Sequence, residues 1–244
     1  MSDAQSPAEK LATVFEANGV DGTLVVESVS GDRTYVHNPE RASRQFSPAS
    51  TFKIPNTLIA LKHGVVNSKQ STFEWDGTDR GLEQWNRNQT LESAFRVSCV
   101  WCYQEIARAV GERAYTADLR DLNYGNREIG ETVDKFWLNG DLAISAWQQI
   151  EFLRGFVNAE TGHTTQQIAL VKDIMLVNKT DDWSLHAKTG WTGQALHTGW
   201  YVGFVVADDR TWLFAMNMNM ETASQAPLRH DVTVQALEAL EIIS

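Results

Sequence analysis

The spacing of apolar and polar positions along the chain alternates between helical and strand-like periods. Ser6-Pro7-Ala8-Glu9 places a hydroxyl three residues before a carboxylate, with proline at the first helical position. That pattern predicts a helix to about Asn18, ended by Gly19. Gly22-Thr23-Leu24-Val25-Val26-Glu27-Ser28-Val29 reads as a strand, Ser30-Gly31-Asp32-Arg33 as a turn, and Thr34-Tyr35-Val36-His37 as its hairpin partner. Small turn-forming residues in Phe46-Ser47-Pro48-Ala49-Ser50-Thr51-Phe52-Lys53 then give way to the apolar run Thr57-Leu58-Ile59-Ala60-Leu61. A loop should feed a helix there, with Ser50 at or near its start and its end near Gly64.

From about Asn67 to Gln89 the chain is polar, rich in Asp and Gly, and reads as a long loop carrying Trp75 and Trp85. Helical periodicity returns from Thr90 to about Leu122 on Leu91, Ala94, Phe95, Val100, Tyr103, Ile106, Ala107 and Val110, divided by Gly111. A second loop follows, holding Tyr124-Gly125-Asn126 and Phe136-Trp137-Leu138-Asn139-Gly140. Ser145-Ala146-Trp147-Gln148 is another capping box, opening a helix to about Val157, and a further helix covers about Thr164 to Leu176. In the last third the period shifts towards two. Leu185 to Lys188, Trp200 to Ala207 and Thr211 to Asn217 read as strands, the latter two joined by Asp208-Asp209-Arg210, and a helix from about Leu228 to Glu241 closes the chain. The expected fold class is α+β: an antiparallel sheet flanked by N- and C-terminal helices, with a mainly helical second lobe. Residues 1–244 are expected to form a single domain, its sheet lobe made by about 6–48 and 180–244 and its helical lobe by about 49–179.

Composition narrows the partners. The chain of 244 residues is 43% hydrophobic and 21% charged, which suffices for a substantial core. Its formal charge of −10 argues against a nucleic-acid or anionic-membrane surface. No run of eighteen apolar residues exists to span a membrane, and the first residues lack a basic segment followed by an apolar one. The two cysteines, Cys99 and Cys102, form one Cys-x-x-Cys without the preceding strand of a redox motif or the second pair of a zinc site. They read as small buried side chains. The six histidines show no metal-binding pair, and no metal is expected. Most of the nine tryptophans are expected in the core.

Two short motifs carry chemistry. In Ser50-Thr51-Phe52-Lys53 a helical spacing of three puts hydroxyl and amine on one face. Lysine becomes a base for serine when burial lowers its pKa from about 10.4, and free N–H groups at a helix start suit a developing oxyanion. Far downstream, Lys188-Thr189-Gly190 follows a strand and precedes Trp191, offering a cation, a hydroxyl and a glycine that permits close approach. Ser-x-x-Lys followed by Lys-Thr-Gly is the signature of penicillin-recognising serine enzymes.

With Ser98-Cys99-Val100 at the start of a helix, and Tyr124-Gly125-Asn126, Phe136-Trp137-Leu138, Trp200-Tyr201-Val202-Gly203 and Pro227-Leu228-Arg229 following in order, the chain resembles a class D, oxacillinase-type serine β-lactamase over nearly its whole length. The resemblance implies hydrolysis of β-lactams through an acyl-enzyme on Ser50. It implies Lys53 as general base, used as an N-carboxylated lysine formed with carbon dioxide, with no separate cofactor. Trp137 would donate its indole N–H to the carbamate, and Val100 would keep the surroundings apolar. Ser98 would pass a proton to the leaving ring nitrogen. The backbone N–H groups of Ser50 and Trp191 would form the oxyanion hole, and Thr189 and Arg229 would bind the substrate carboxylate, with Lys188 adding positive potential beside Gly190. Tyr124-Gly125-Asn126 either shapes a turn or takes part in the site. Trp101 stands where proline is expected in relatives, which bears on pocket shape.

The resemblance further implies a periplasmic or secreted bacterial protein, its leader absent from this chain, acting as monomer or homodimer on a small-molecule β-lactam. The main rival is a β-lactam-binding sensor domain that acylates without turnover. A peptidoglycan transpeptidase shares two motifs but fits the Val100 and Trp137 positions less well.

Overall fold

The computed structural model describes residues 5–244. Helix α1 (Pro7–Ala17) starts on the predicted box: the Ser6 N–H donates to Glu9 Oε2 at 2.7 Å and the Glu9 N–H to Ser6 Oγ at 3.3 Å. Strands β1 (Gly22–Ser28) and β2 (Thr34–His37) form the hairpin, and Asn38 caps the short helix α2 (Pro39–Ser43). A 3-10 turn over Ala49–Phe52 runs directly into α3 (Lys53–Lys62). Strands β3 (Thr72–Phe73) and β4 (Gln89–Thr90) pair and clip together the ends of the polar loop.

The helical block continues with α4 (Leu91–Arg96), α5 (Val100–Val110), α6 (Glu112–Asp121), α7 (Phe136–Asn139), α8 (Ala146–Val157) and α9 (Thr165–Ile174). Strands β5 (Leu176–Lys179), β6 (Trp183–Trp191), β7 (Thr198–Ala207) and β8 (Arg210–Asn219) follow, and α10 (Ala226–Ala239) ends the order of elements.

The fold is α+β. Six strands form one antiparallel sheet in the order β2-β1-β8-β7-β6-β5, so the hairpin from the N-terminal part is joined to the C-terminal strands through β1 and β8. Both faces are covered. On one, Leu24, Val26, Tyr201, Val205 and Phe214 pack with Leu11 and Phe15 of α1 and Val232 and Leu237 of α10. On the other, Val25, Trp200, Val202, Phe204 and Leu213 join the core of the helical block. Successive side chains of β7 therefore enter different cores, which is why that strand reads as a continuous apolar run instead of a half-polar alternation.

Besides the short helices α2 and α7, which fall in stretches read as loop or left unread, the structure departs from the periodicity around the site in three places. The helix expected from Thr90 to Gly111 breaks at Val97–Cys99, because Ser98 takes a left-handed backbone, φ +55°. Strand β5 occupies residues where helix was expected to end; all four of its side chains are exposed, so no burial pattern marks it. Strand β6 extends from Trp183 to Trp191, so Lys188-Thr189-Gly190 lies within the strand, one pair before its end, held in register by its ladder with β7.

Candidate active site

Ser50 sits on the 3-10 turn, one residue after Ala49, which holds φ +48°. A non-glycine residue in that region is strained and persists only where its surroundings over-determine it. Here the turn is fixed from three sides. Thr51 donates its N–H and its hydroxyl to Pro48 O at 3.1 and 2.7 Å, Gln149 Nε2 of α8 donates to Thr51 Oγ1 at 3.1 Å, and the Phe52 ring stacks on Trp137 at 5.6 Å. Strand β6 lies directly against the turn, and Gly190 makes that approach possible. A Cβ on Gly190 would fall 2.9 Å from Pro48 O and 3.1 Å from Thr51 Cγ2.

The first motif meets as the spacing predicts: Lys53 Nζ donates to Ser50 Oγ at 3.2 Å. Lys53 is fully buried, its ammonium faces the Tyr103 ring at 4.6 Å, and burial pulls its pKa down from 10.5 to about 7. Close to half of the side chain is therefore the neutral amine at neutral pH, against about one part in 3,000 at the ordinary value. Ser50 keeps 9% of its surface exposed, so the hydroxyl is reachable while its base is not.

The remaining motifs converge from distant parts of the chain. Lys188 Nζ donates to Ser98 Oγ at 2.6 Å, to Thr189 Oγ1 at 3.2 Å and to Thr189 O at 3.1 Å, and lies over the Phe95 ring. Burial lowers its pKa well below the usual lysine value, and the cations of Lys53 and Arg229 lower it further. Arg229 of α10 is anchored through Nη1 to Gly190 O at 2.6 Å and through Nε to Ala226 O at 3.0 Å; burial brings its pKa down to about 10. Lys188 and Arg229 thus gather at one edge of the site in a chain whose net charge is −10, an arrangement suited to a small anion. Trp191 is tied to Met220 O through its indole N–H at 3.1 Å. A cavity of about 310 Å³ flanks this side, lined in part by Lys188, Thr189, Tyr201 and His230. Ser50 is not among its lining residues, so it marks the margin of the site and not the reacting centre.

Trp137 is buried on α7, its backbone carbonyl accepting from Ser47 Oγ at 2.9 Å. Val100 is half-buried at the first position of α5. Tyr124-Gly125-Asn126 acts as a brace. Gly125, at φ +57°, leaves no room for a side chain against Ala143 O, and Asn126 bonds Asp141 O and the Ala143 N–H, fixing the segment that carries Trp137. Trp101 donates to Trp85 O at 3.0 Å and Trp85 to Val97 O at 2.9 Å, so both indoles pin the long polar loop to the α4–α5 corner. The cysteines are buried as expected, but they are not two free thiols: Cys99 and Cys102 are joined in a disulfide.

Sequence reasoning missed Ser47, Ala49, Phe95 and Tyr103. Periodicity marks Tyr103 as buried without showing that its ring walls the Lys53 amine, and no local signal announces a strained alanine before the serine.

Residues 22–237 match the penicillin binding protein transpeptidase domain family. The β-lactamase OXA-48 of Klebsiella pneumoniae is 40% identical over 230 residues, 94% of this chain and 87% of that protein. The β-lactamase OXA-10 of Pseudomonas aeruginosa is 36% identical over 233 residues, 94% of this chain and 88% of that protein. Among solved structures, the class D β-lactamase YbXI from Nostoc superposes with a TM-score of 0.93 at 36% identity, covering 96% of this chain and 99% of that one.

Proposed function

The chain belongs to the class D serine β-lactamases, a family of hydrolases, and on that premise we propose that it opens β-lactam rings through an acyl-enzyme on Ser50, with Lys53 as a carbamate base. The observation that carries the reading is the buried Lys53 amine, pKa about 7, placed 3.2 Å from Ser50 Oγ. The residues fit the carbamate. Only a neutral amine reacts with carbon dioxide, and burial supplies that form at neutral pH. A carbamate on Lys53 would supply a carboxylate-like base beside Ser50, for the serine proton and later for the hydrolytic water.

The chain's own groups divide the remaining work. The fixed 3-10 turn presents Ser50 Oγ to the lactam carbonyl, and the backbone N–H groups of Ser50 and Trp191, on the turn and on the strand lying against it, receive the developing oxyanion. Ser98 Oγ gives its proton to the departing ring nitrogen, and Lys188 Nζ, donating to that oxygen at 2.6 Å, supports the transfer. Thr189 and Arg229 take the substrate carboxylate. Because Gly190 O and Ala226 O already hold Arg229, its orientation is set before substrate arrives. A buried disulfide persists in oxidising compartments, which supports a periplasmic or secreted protein.

Steady-state hydrolysis of a penicillin, an extended cephalosporin and a carbapenem, followed by intact mass, tests the reading. Turnover with a transient adduct on Ser50 is expected. A permanent adduct without turnover would make the chain a sensor instead, and neither adduct nor turnover would end the proposal.

Two substitutions probe the surroundings. Arg229→Ala should raise KM for penicillin about tenfold or more with kcat within about threefold, because a remote charge-assisted contact binds ground and transition states alike. Equal losses in kcat and kcat/KM would give Arg229 a part in the chemistry. Gly190→Ala must push β6 off the Ser50 turn by a few tenths of an ångström. It should lower kcat about tenfold with far-UV circular dichroism unchanged, since small misplacements at a reacting centre are costly. An unchanged kcat would mean the close approach plays no part in catalysis.

A further inference from the structure

The corner between α4 and α5 carries Ser98 in a conformation that L side chains rarely adopt, φ +55°, one residue before the helix cap. Three backbone bonds fold the corner: Val97 N–H to Ser93 O, Ser98 N–H to Phe95 O and Cys99 N–H to Ala94 O, at 2.9, 3.3 and 2.8 Å. All three tie it back to α4, and none secures it to α5. At the start of α5 the cap is Cys99, whose sulfur accepts from the Cys102 N–H at 3.2 Å. Sulfur is a weak acceptor where helix caps ordinarily use the oxygen of Ser, Thr, Asp or Asn. The non-covalent cap is therefore poor at the one junction that must hold Ser98 against Lys188. The disulfide from Cys99 to Cys102 spans that same first turn, and these are the chain's only two cysteines.

We propose that the Cys99–Cys102 disulfide is a positioning device for Ser98, substituting a covalent clamp for the missing oxygen cap so that Ser98 Oγ stays aligned with Lys188 Nζ. The clamp acts on acylation, where the leaving nitrogen must be protonated, and not on the later attack of water. It rests on the reading of Ser98 as proton donor given above.

The test is a cycle of variants followed by single-turnover acylation with benzylpenicillin, the adduct on Ser50 being counted by intact mass. The untreated parent, denatured without reductant, should show no free thiol. Cys102→Ala, which removes the disulfide and keeps Cys99, should slow acylation about tenfold while decay of the preformed adduct changes less than twofold. Adding Cys99→Ser to Cys102→Ala should recover most of that loss, because a hydroxyl caps the turn. In a Ser98→Ala background Cys102→Ala should change acylation less than twofold, because interacting residues are not additive. If Cys102→Ala fails to fold, the already folded parent, reduced in its native state with a phosphine and verified by thiol count, takes its place in the comparisons of acylation and adduct decay, with and without Ser98→Ala.

Two free thiols in the native chain, unchanged acylation in Cys102→Ala, or equal slowing with and without the Ser98 hydroxyl would each overturn the clamp. If Ser98→Ala alone acylates at the parent rate, the proton-donor reading fails first and the clamp with it. That outcome is separate from the others because it appears with the disulfide intact.

Discussion

Ser50→Ala is expected to lower kcat for penicillin hydrolysis by about 10⁴-fold or more and to abolish the covalent adduct, while the fold survives. The hydroxyl combines partial exposure, a buried amine at 3.2 Å and a turn held from three sides. Its removal deletes one oxygen and leaves the Thr51, Gln149 and Phe52 contacts that hold the turn. Circular dichroism and thermal unfolding should stay close to the parent, so the loss reads as chemistry. Turnover at near the parent rate, or an adduct of the same mass on the variant, would require a different nucleophile. No other serine or threonine hydroxyl accepts from the Lys53 amine among the described residues, so that outcome would also undo Lys53 as the base.

How much of this was legible in the sequence depends on how local each signal is. Capping boxes at Ser6 and Ser145 are statements about four consecutive residues, and both form in the structure with both reciprocal bonds. The Ser50-Lys53 contact is likewise one helical turn long. Lys188 was legible as a cation in Lys188-Thr189-Gly190, but its place opposite Ser98 was not, and Arg229 was marked only by resemblance. Their meeting with Ser98 and Gly190 depends on the sheet order, which brings β6 against the Ser50 turn and the start of α10 beside it.

What stayed hidden is the geometry created by packing. The apolar pattern runs unbroken through Ser98, because the buried positions on either side still match a helical face, so only the Ser98-Cys99-Val100 motif marked a helix start there and the backbone that makes the break stayed unseen. Its cause, a left-handed serine, carries no glycine or proline to announce it. Strand β5 was invisible because an exposed edge strand has no buried face to imprint a period. The Cys99–Cys102 bond was passed over because spacing alone does not distinguish two buried thiols from a disulfide.

Activity should depend on dissolved carbon dioxide and fall reversibly in mild acid, and the direction follows from Lys53. Its folded pKa lies at about 7, below the ordinary lysine value, so the neutral amine dominates above that pH and is lost as pH falls through it. At about pH 6 only about a tenth of the side chain remains neutral. A carbamate on Lys53 would re-form only from that small pool, while protonation would favour its loss. Brief exposure to acid in degassed buffer should therefore cut turnover about tenfold or more, and bicarbonate restored near neutral pH should return it. Carbon-13 NMR after labelled bicarbonate should show a carbamate signal that Lys53→Ala lacks, a readout independent of activity. Trp137→Phe keeps the aromatic stack on Phe52 and removes the indole N–H. It should lower the carbamate signal and slow deacylation more than acylation, so that the Ser50 adduct accumulates by mass. The Phe substitution is preferred to alanine because Trp137 is 1% exposed, and emptying that volume would cost about 3–5 kcal/mol of fold. Full activity in degassed buffer with no carbamate signal would leave Lys53 a plain amine base. With a pKa of about 7 it is already competent for that role, which makes the carbon-13 signal, and not the pH profile, the deciding measurement.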